Sequence, residues 1–86
     1  MPEIARFFGI VVSMYFDDHA PPHIHGRYGS HKVRVAIGDF KILAGSFPPR
    51  ALALLVEWMD IHRAELDADW VRAETGQGLE PIEPLR

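Results

Sequence analysis

No cysteine occurs among the 86 residues, which excludes disulfide staples and thiolate zinc sites and leaves the histidines as the side chains suited to a transition ion. No apolar run approaches the roughly 18 residues a membrane span requires, and the opening Met1-Pro2-Glu3 lacks the basic start of a secretory signal. A cytoplasmic protein without membrane association is expected. A basic excess is also missing: the formal net charge of -3 argues against a chain that coats nucleic acid non-specifically. Nucleophile elbow, Walker loop and His-Glu-x-x-His helix are absent, as are internal repeats, low-complexity tracts and interdomain linkers. At this length residues 1–86 form one domain with one modest core, and cores of this size often draw extra stability from a metal or a partner.

What is present is unevenly distributed. Residues 1–50 carry six Lys/Arg against four Asp/Glu, and residues 51–86 carry three against eight. From Ile4 to Phe16 the chain is rich in β-branched and aromatic residues, Ile10, Val12, Met14 and Phe16 alternate with Val11, Ser13 and Tyr15, and Gly9 interrupts the run, so two short strands are expected. Tyr28-Gly29-Ser30-His31 suits a type II′ hairpin. That turn predicts the pairs Tyr28/His31, Arg27/Lys32, Gly26/Val33, His25/Arg34 and Ile24/Val35, with apolar residues on one face and His23, His25, Arg27, Lys32 and Arg34 on the other. A second hairpin at Ile37-Gly38-Asp39-Phe40 predicts Ile37/Phe40 and Val35/Ile42, with Lys41 and Leu43 on the polar side. Residues 1–46 thus read as a mainly β meander.

Residues 47–76 read as helical. Ser46 is a candidate cap, proline is tolerated in the first turn, and Leu52, Leu55, Met59, His62, Leu66, Trp70 and Ala73 form an apolar stripe. A break between His62 and Asp67 would divide it into two helices, Gly76 would cap the second, and residues 77–86 would form an extended tail docking through Leu79, Ile82 and Leu85. The fold class expected is α+β: a twisted antiparallel sheet of four or five strands with one or two C-terminal helices packed on one face.

The chemistry-bearing residues concentrate in Asp17-Asp18-His19-Ala20-Pro21-Pro22-His23-Ile24-His25, which holds three of the five histidines. Imidazole titrates near neutrality, shuttles protons and binds transition metals. His23 and His25, two apart on a strand, can share one ion, with His19 folding back and Asp17, Asp18 or His62 supplying a further ligand or a supporting hydrogen bond. Zinc or nickel would fit such donors. Arg27, Lys32 and Arg34 on the same face oppose a divalent ion and favour an anion. Phosphate is the natural candidate, with His19, His23 and His25 handling protons across a scissile phosphodiester and the cations holding the anion. The simpler account is a solvated strand face, or one neutralised by Glu57, Asp60, Glu65 or Asp69. His31 and His62 read as structural, and Trp58 and Trp70 as core anchors or as part of a partner surface.

Ile4-x-Arg6-Phe7-Phe8-Gly9-Ile10, Met14-Tyr15, Asp18-His19-x-Pro21-Pro22-His23-x-His25, the Arg50 to Trp58 helix and Ile82-x-Pro84-Leu85 resemble a bacterial family known as domain of unknown function 4160. The resemblance implies a short cytoplasmic protein, often encoded beside another small protein in an arrangement suggestive of toxin–antitoxin modules. It assigns no catalytic residue. Three functional expectations follow: an effector binding or cleaving RNA or another phosphate ligand, a non-catalytic His-cluster metal protein, and a binding module for the neighbouring gene product. Open strand edges also suit a homodimer, in which pairing two edges covers both.

Overall fold

The computed structural model describes residues 2–16 and 18–86. Five strands, β1 (Glu3–Phe7), β2 (Ile10–Ser13), β3 (His23–Tyr28), β4 (His31–Ala36) and β5 (Ile42–Gly45), pair antiparallel in chain order. Two helices follow, α1 (Pro49–Ile61) and α2 (Arg63–Glu74). This is the α+β architecture expected, with the helical stripe interrupted at His62.

Local chemistry explains the turns. Phe8 and Gly9 both take positive φ, 49° and 81°, the combination a tight hairpin between right-twisted strands requires. Gly29 at φ 59° reverses β3 into β4, and the ladder runs Tyr28/His31, Arg27/Lys32, Gly26/Val33, His25/Arg34, Ile24/Val35 as the turn chemistry dictates. The next turn departs from expectation. Val35 opposes Ile42, but Phe40, at φ 60°, donates its N–H back to the Ala36 carbonyl instead of pairing with Ile37. A register shift between Arg34 and Val35 then sets Ala44, not Leu43, opposite Arg34.

The apolar face carries Ile10, Val12, Met14, Ile24, Val33, Val35 and Ile37, all buried with Leu55, Trp58, Met59, Leu66 and Trp70 from the helices. Both tryptophans are therefore core anchors. Gly26 in the middle of β3 permits this approach: a Cβ there would lie 3.1 Å from the Leu55 side chain and 3.3 Å from Phe47. The helix begins at Pro49 behind Pro48, without a side-chain cap. Ser46, expected as that cap, instead donates its N–H to the Lys32 carbonyl, extending the sheet edge. Gly76 at φ 74° ends α2, and the Gln77 N–H reaches the Arg72 carbonyl at 2.8 Å in a Schellman closure.

The tail docks as its apolar residues suggest. Ile82 is buried and donates its N–H to the Ile4 carbonyl, and the Trp58 indole N–H donates to the Glu83 carbonyl at 2.8 Å. Asp69 anchors the start of the tail from inside α2: fully buried, its Oδ1 accepts from Arg72 at 2.8 Å and from the Glu80 N–H at 2.9 Å. A buried carboxylate holding two donors is costly to delete because the donors are stranded. Asp69→Ala should therefore lose about 2–4 kcal/mol of stability in urea unfolding, with faster amide exchange from Glu80 onward than in the rest of the chain.

Candidate metal and anion site

Strand register builds the outer face of the sheet, away from the helices, into two rows. Glu3, Ser13, His25, Arg34 and Ala44 oppose one another in one row, and Arg6, Val11, Arg27 and Lys32 in the next. Between the long side chains lies an open trough of about 370 Å³ lined by Ser13, Tyr15, His25, Arg27, Lys32 and Arg34. Arg27 and Lys32 face each other directly, an arrangement that destabilises a strand pair by a few tenths of a kcal/mol to about 1 kcal/mol unless a counter-charge intervenes.

No carboxylate of the described residues forms an ion pair with Arg27, Lys32 or Arg34. The helix acids do not serve. Asp60 pairs with Arg63, Glu65 with His62 and Asp69 with Arg72, all within the helical layer. Glu3 is an acid that senses these cations; a hydrogen bond from Arg6 holds its carboxyl below its ordinary range, outweighing partial desolvation, and the charges of Arg6 and Arg27 add to the effect.

At one end of the trough the loop between β2 and β3 returns Asp18 to the strand. A single oxygen, Asp18 Oδ2, lies 2.8 Å from His25 Nε2 and 3.0 Å from His23 Nε2. The two imidazoles therefore converge as the alternation of β3 predicts, with ring centroids 5.1 Å apart. Their environments differ. The His23 side chain is only 4% exposed against 28% for His25, with the ring of Trp70 packed 5.4 Å away and the Pro21 carbonyl against its Nδ1. An exposed position for His23 beside the arginines is thus corrected. Tyr15 meets His25 edge to face at 4.5 Å.

The hydrogen bonds specify tautomers. His23 Nδ1 lies 2.8 Å from the Pro21 carbonyl, an acceptor only, so Nδ1 carries a proton. In a neutral ring the Nε2 lone pair then points at a carboxylate oxygen, and His23 Nε2 is indeed buried without a hydrogen bond of acceptable geometry. Lone pair facing lone pair is unfavourable; a second proton on the ring or a cation between the atoms removes the conflict. The Nδ1–H to backbone carbonyl bond is also the support that metal-bound histidines use to present Nε2.

Asp18, His23 and His25 form a ligand set whose donor atoms all lie within 4.8 Å of one another. His19, expected to fold back as the third ligand, is not part of it: the residue is exposed and contributes its backbone N–H, which caps Asp18 Oδ1 at 3.0 Å. His62 is engaged by Glu65 at 2.6 Å and packs against Trp58. Asp17 lies outside the described residues. Sequence reading also missed Ser13 and Tyr15, which the parity of β2 against β3 signals, and Trp70, whose approach to His23 has no local signal.

These features define a small α+β domain with a cationic sheet-face trough ending in an Asp/His/His cluster. A family model described as Domain of unknown function (DUF4160) matches residues 9–71, and the chain belongs to that family. No curated protein and no solved structure matches it. Among the described residues no helix is long and apolar enough to cross a membrane.

The Asp18 carboxyl is subject to opposing effects. Burial pushes it up, but hydrogen bonds from His25 and the His19 N–H, with the charges of the two imidazoles, bring it below its ordinary 3.8. A carboxyl depressed on folding stabilises the native state above its unfolded pKa, and the contribution disappears as pH falls through the lower folded value. In chelator, the stability advantage of the native protein over Asp18→Asn should therefore be present just above the ordinary carboxyl range and shrink once the pH passes below about 4 in urea unfolding.

Proposed function

We propose that this protein binds a phosphate-containing ligand, RNA in preference to other classes, on the outer face of its sheet through Arg27, Lys32, Arg34 and His25. One observation carries the reading: three cations surround a hollow with no carboxylate partner among the described residues, in a chain whose net charge is negative. Guanidinium groups supply bidentate geometry for phosphate, and a neutralising ligand relieves the repulsion between Arg27 and Lys32. Burial of His23 and exposure of His19 leave His25 as the imidazole facing a ligand, with Asp18 behind it to orient the ring; any cleavage would use His25 as the proton-handling group. In a two-gene toxin–antitoxin-type module this chain would be the RNA-facing component, and its acidic helical half would remain free for a small protein partner encoded alongside. A fluorescent single-stranded RNA should bind with a log–log salt slope of about −2 if three phosphates are neutralised. The combined Arg27→Ala, Lys32→Ala, Arg34→Ala variant should abolish binding; salt-independent binding, or binding that survives the triple change, overturns the reading.

A second reading rests on a separate observation, the buried His23 Nε2 facing Asp18 Oδ2 with Nδ1 already committed to Pro21. Asp18, His23 and His25 would bind a divalent transition ion such as zinc or nickel. Untagged protein should then gain about 2.7 kcal/mol of stability at a hundredfold excess of zinc over its dissociation constant, seen as a rise in Tm that His23→Gln and His25→Gln remove. A melting curve indifferent to both zinc and nickel excludes it.

A further inference from the structure

We propose that the Asp18/His23/His25 cluster and the cationic trough are one composite site, in which a divalent transition ion and a phosphate group bind together and the phosphate bridges the ion and the Arg34 guanidinium. The inference rests on both readings above and adds the coupling between them. His25 belongs to both halves: its Nε2 meets Asp18 while its ring lines the trough, and its cross-strand neighbour is Arg34. Three protein ligands are fewer than a closed structural site uses, so an ion held here keeps coordination positions for an outside ligand.

Burial decides from which side that ligand arrives. Side-chain exposure rises from 4% at His23 through 17% at Asp18 to 28% at His25, so the inner side is closed by Trp70 and Pro21 and the approach lies along the trough. Electrostatics decides its sign. A divalent ion next to Arg34, Arg27 and Lys32, against the single carboxylate of Asp18, leaves a positive excess that opposes metal binding in a bare trough. A phosphate monoester, carrying about −1.5 to −2 charges near neutrality, reverses that penalty by contacting ion and guanidinium together. Each ligand therefore raises the affinity for the other by the same factor. The trough's volume of about 370 Å³ falls in the range of small-ligand pockets, leaving space for a substituent on the phosphate, with Tyr15 as an aromatic wall.

The test uses the untagged 86-residue chain, Co²⁺ as the ion and inorganic phosphate as the probe. Phosphate should tighten Co²⁺ binding roughly 5- to 150-fold, the usual span of site-to-site coupling, and perturb the visible absorption of bound Co²⁺ as it enters the coordination sphere. In Arg34→Gln the phosphate-induced gain should fall toward unity. A 5′-phosphorylated RNA that reproduces the coupling, where its unphosphorylated counterpart does not, identifies the phosphate source as an RNA end; coupling with inorganic phosphate alone identifies a free small ligand, and either outcome supports the composite site. Co²⁺ binding that ignores phosphate, or coupling undiminished in Arg34→Gln, overturns it while leaving metal binding intact. Failure to bind Co²⁺ at all removes the metal reading and the composite site together, whereas salt-dependent RNA binding stands or falls on its own.

Discussion

The pairing of β3 with β4 is the constraint on which the rest of the molecule depends. Gly29 permits a two-residue reversal, and from that point every side chain of both strands is assigned to a face. A slip of one residue would carry Val33 and Val35 of β4 to solvent and turn Lys32 and Arg34 toward the core while Ile24 stayed inside. That arrangement could not keep one continuous apolar face buried. The hydrophobic demand for one buried face therefore also collects the cations on the other, so the gathering of Arg27, Lys32 and Arg34 is a by-product of core formation on which a binding site can be built.

Asp18 converts that face into something more specific. Its carboxylate comes from a loop, not a strand, and meets both imidazoles through one oxygen. The surrounding structure makes the two rings unequal. His23 is clamped by the Pro21 carbonyl and Trp70 while His25 stays open to the trough. A buried ring behind and an exposed ring in front, joined by a carboxylate, is the arrangement in which the inner histidine positions and the outer one interacts.

The helical layer and the tail sustain this at a distance. Trp70, which closes over His23, sits next to Asp69, the residue that holds the start of the tail. The tail in turn ties Trp58 to Glu83 and Ile82 to Ile4. The site is thus braced through α2, which carries both Trp70 and Asp69, as well as through the sheet.

Much of this was legible in the residues. The period of two through β2, β3 and β4, the Gly29 turn and the glycine after α2 are local signals that local sterics and hydrogen bonding suffice to read, and a break between His62 and Asp67 follows from the length of the apolar stripe. They carried the fold class, the β3/β4 register and the shared face of His23, His25, Arg27, Lys32 and Arg34. Three things were not legible. The shift that sets Ala44 against Arg34, the sealing of His23 by Trp70, and the choice of Asp18 over His19 as the companion of the two histidines each join residues from separate elements. Strand alternation alone determined which side chains share a face; only the packing of loop and helix onto the sheet decided which of them are buried, which touch and which remain open, because those outcomes turn on long-range closure of the chain that no short window of residues encodes.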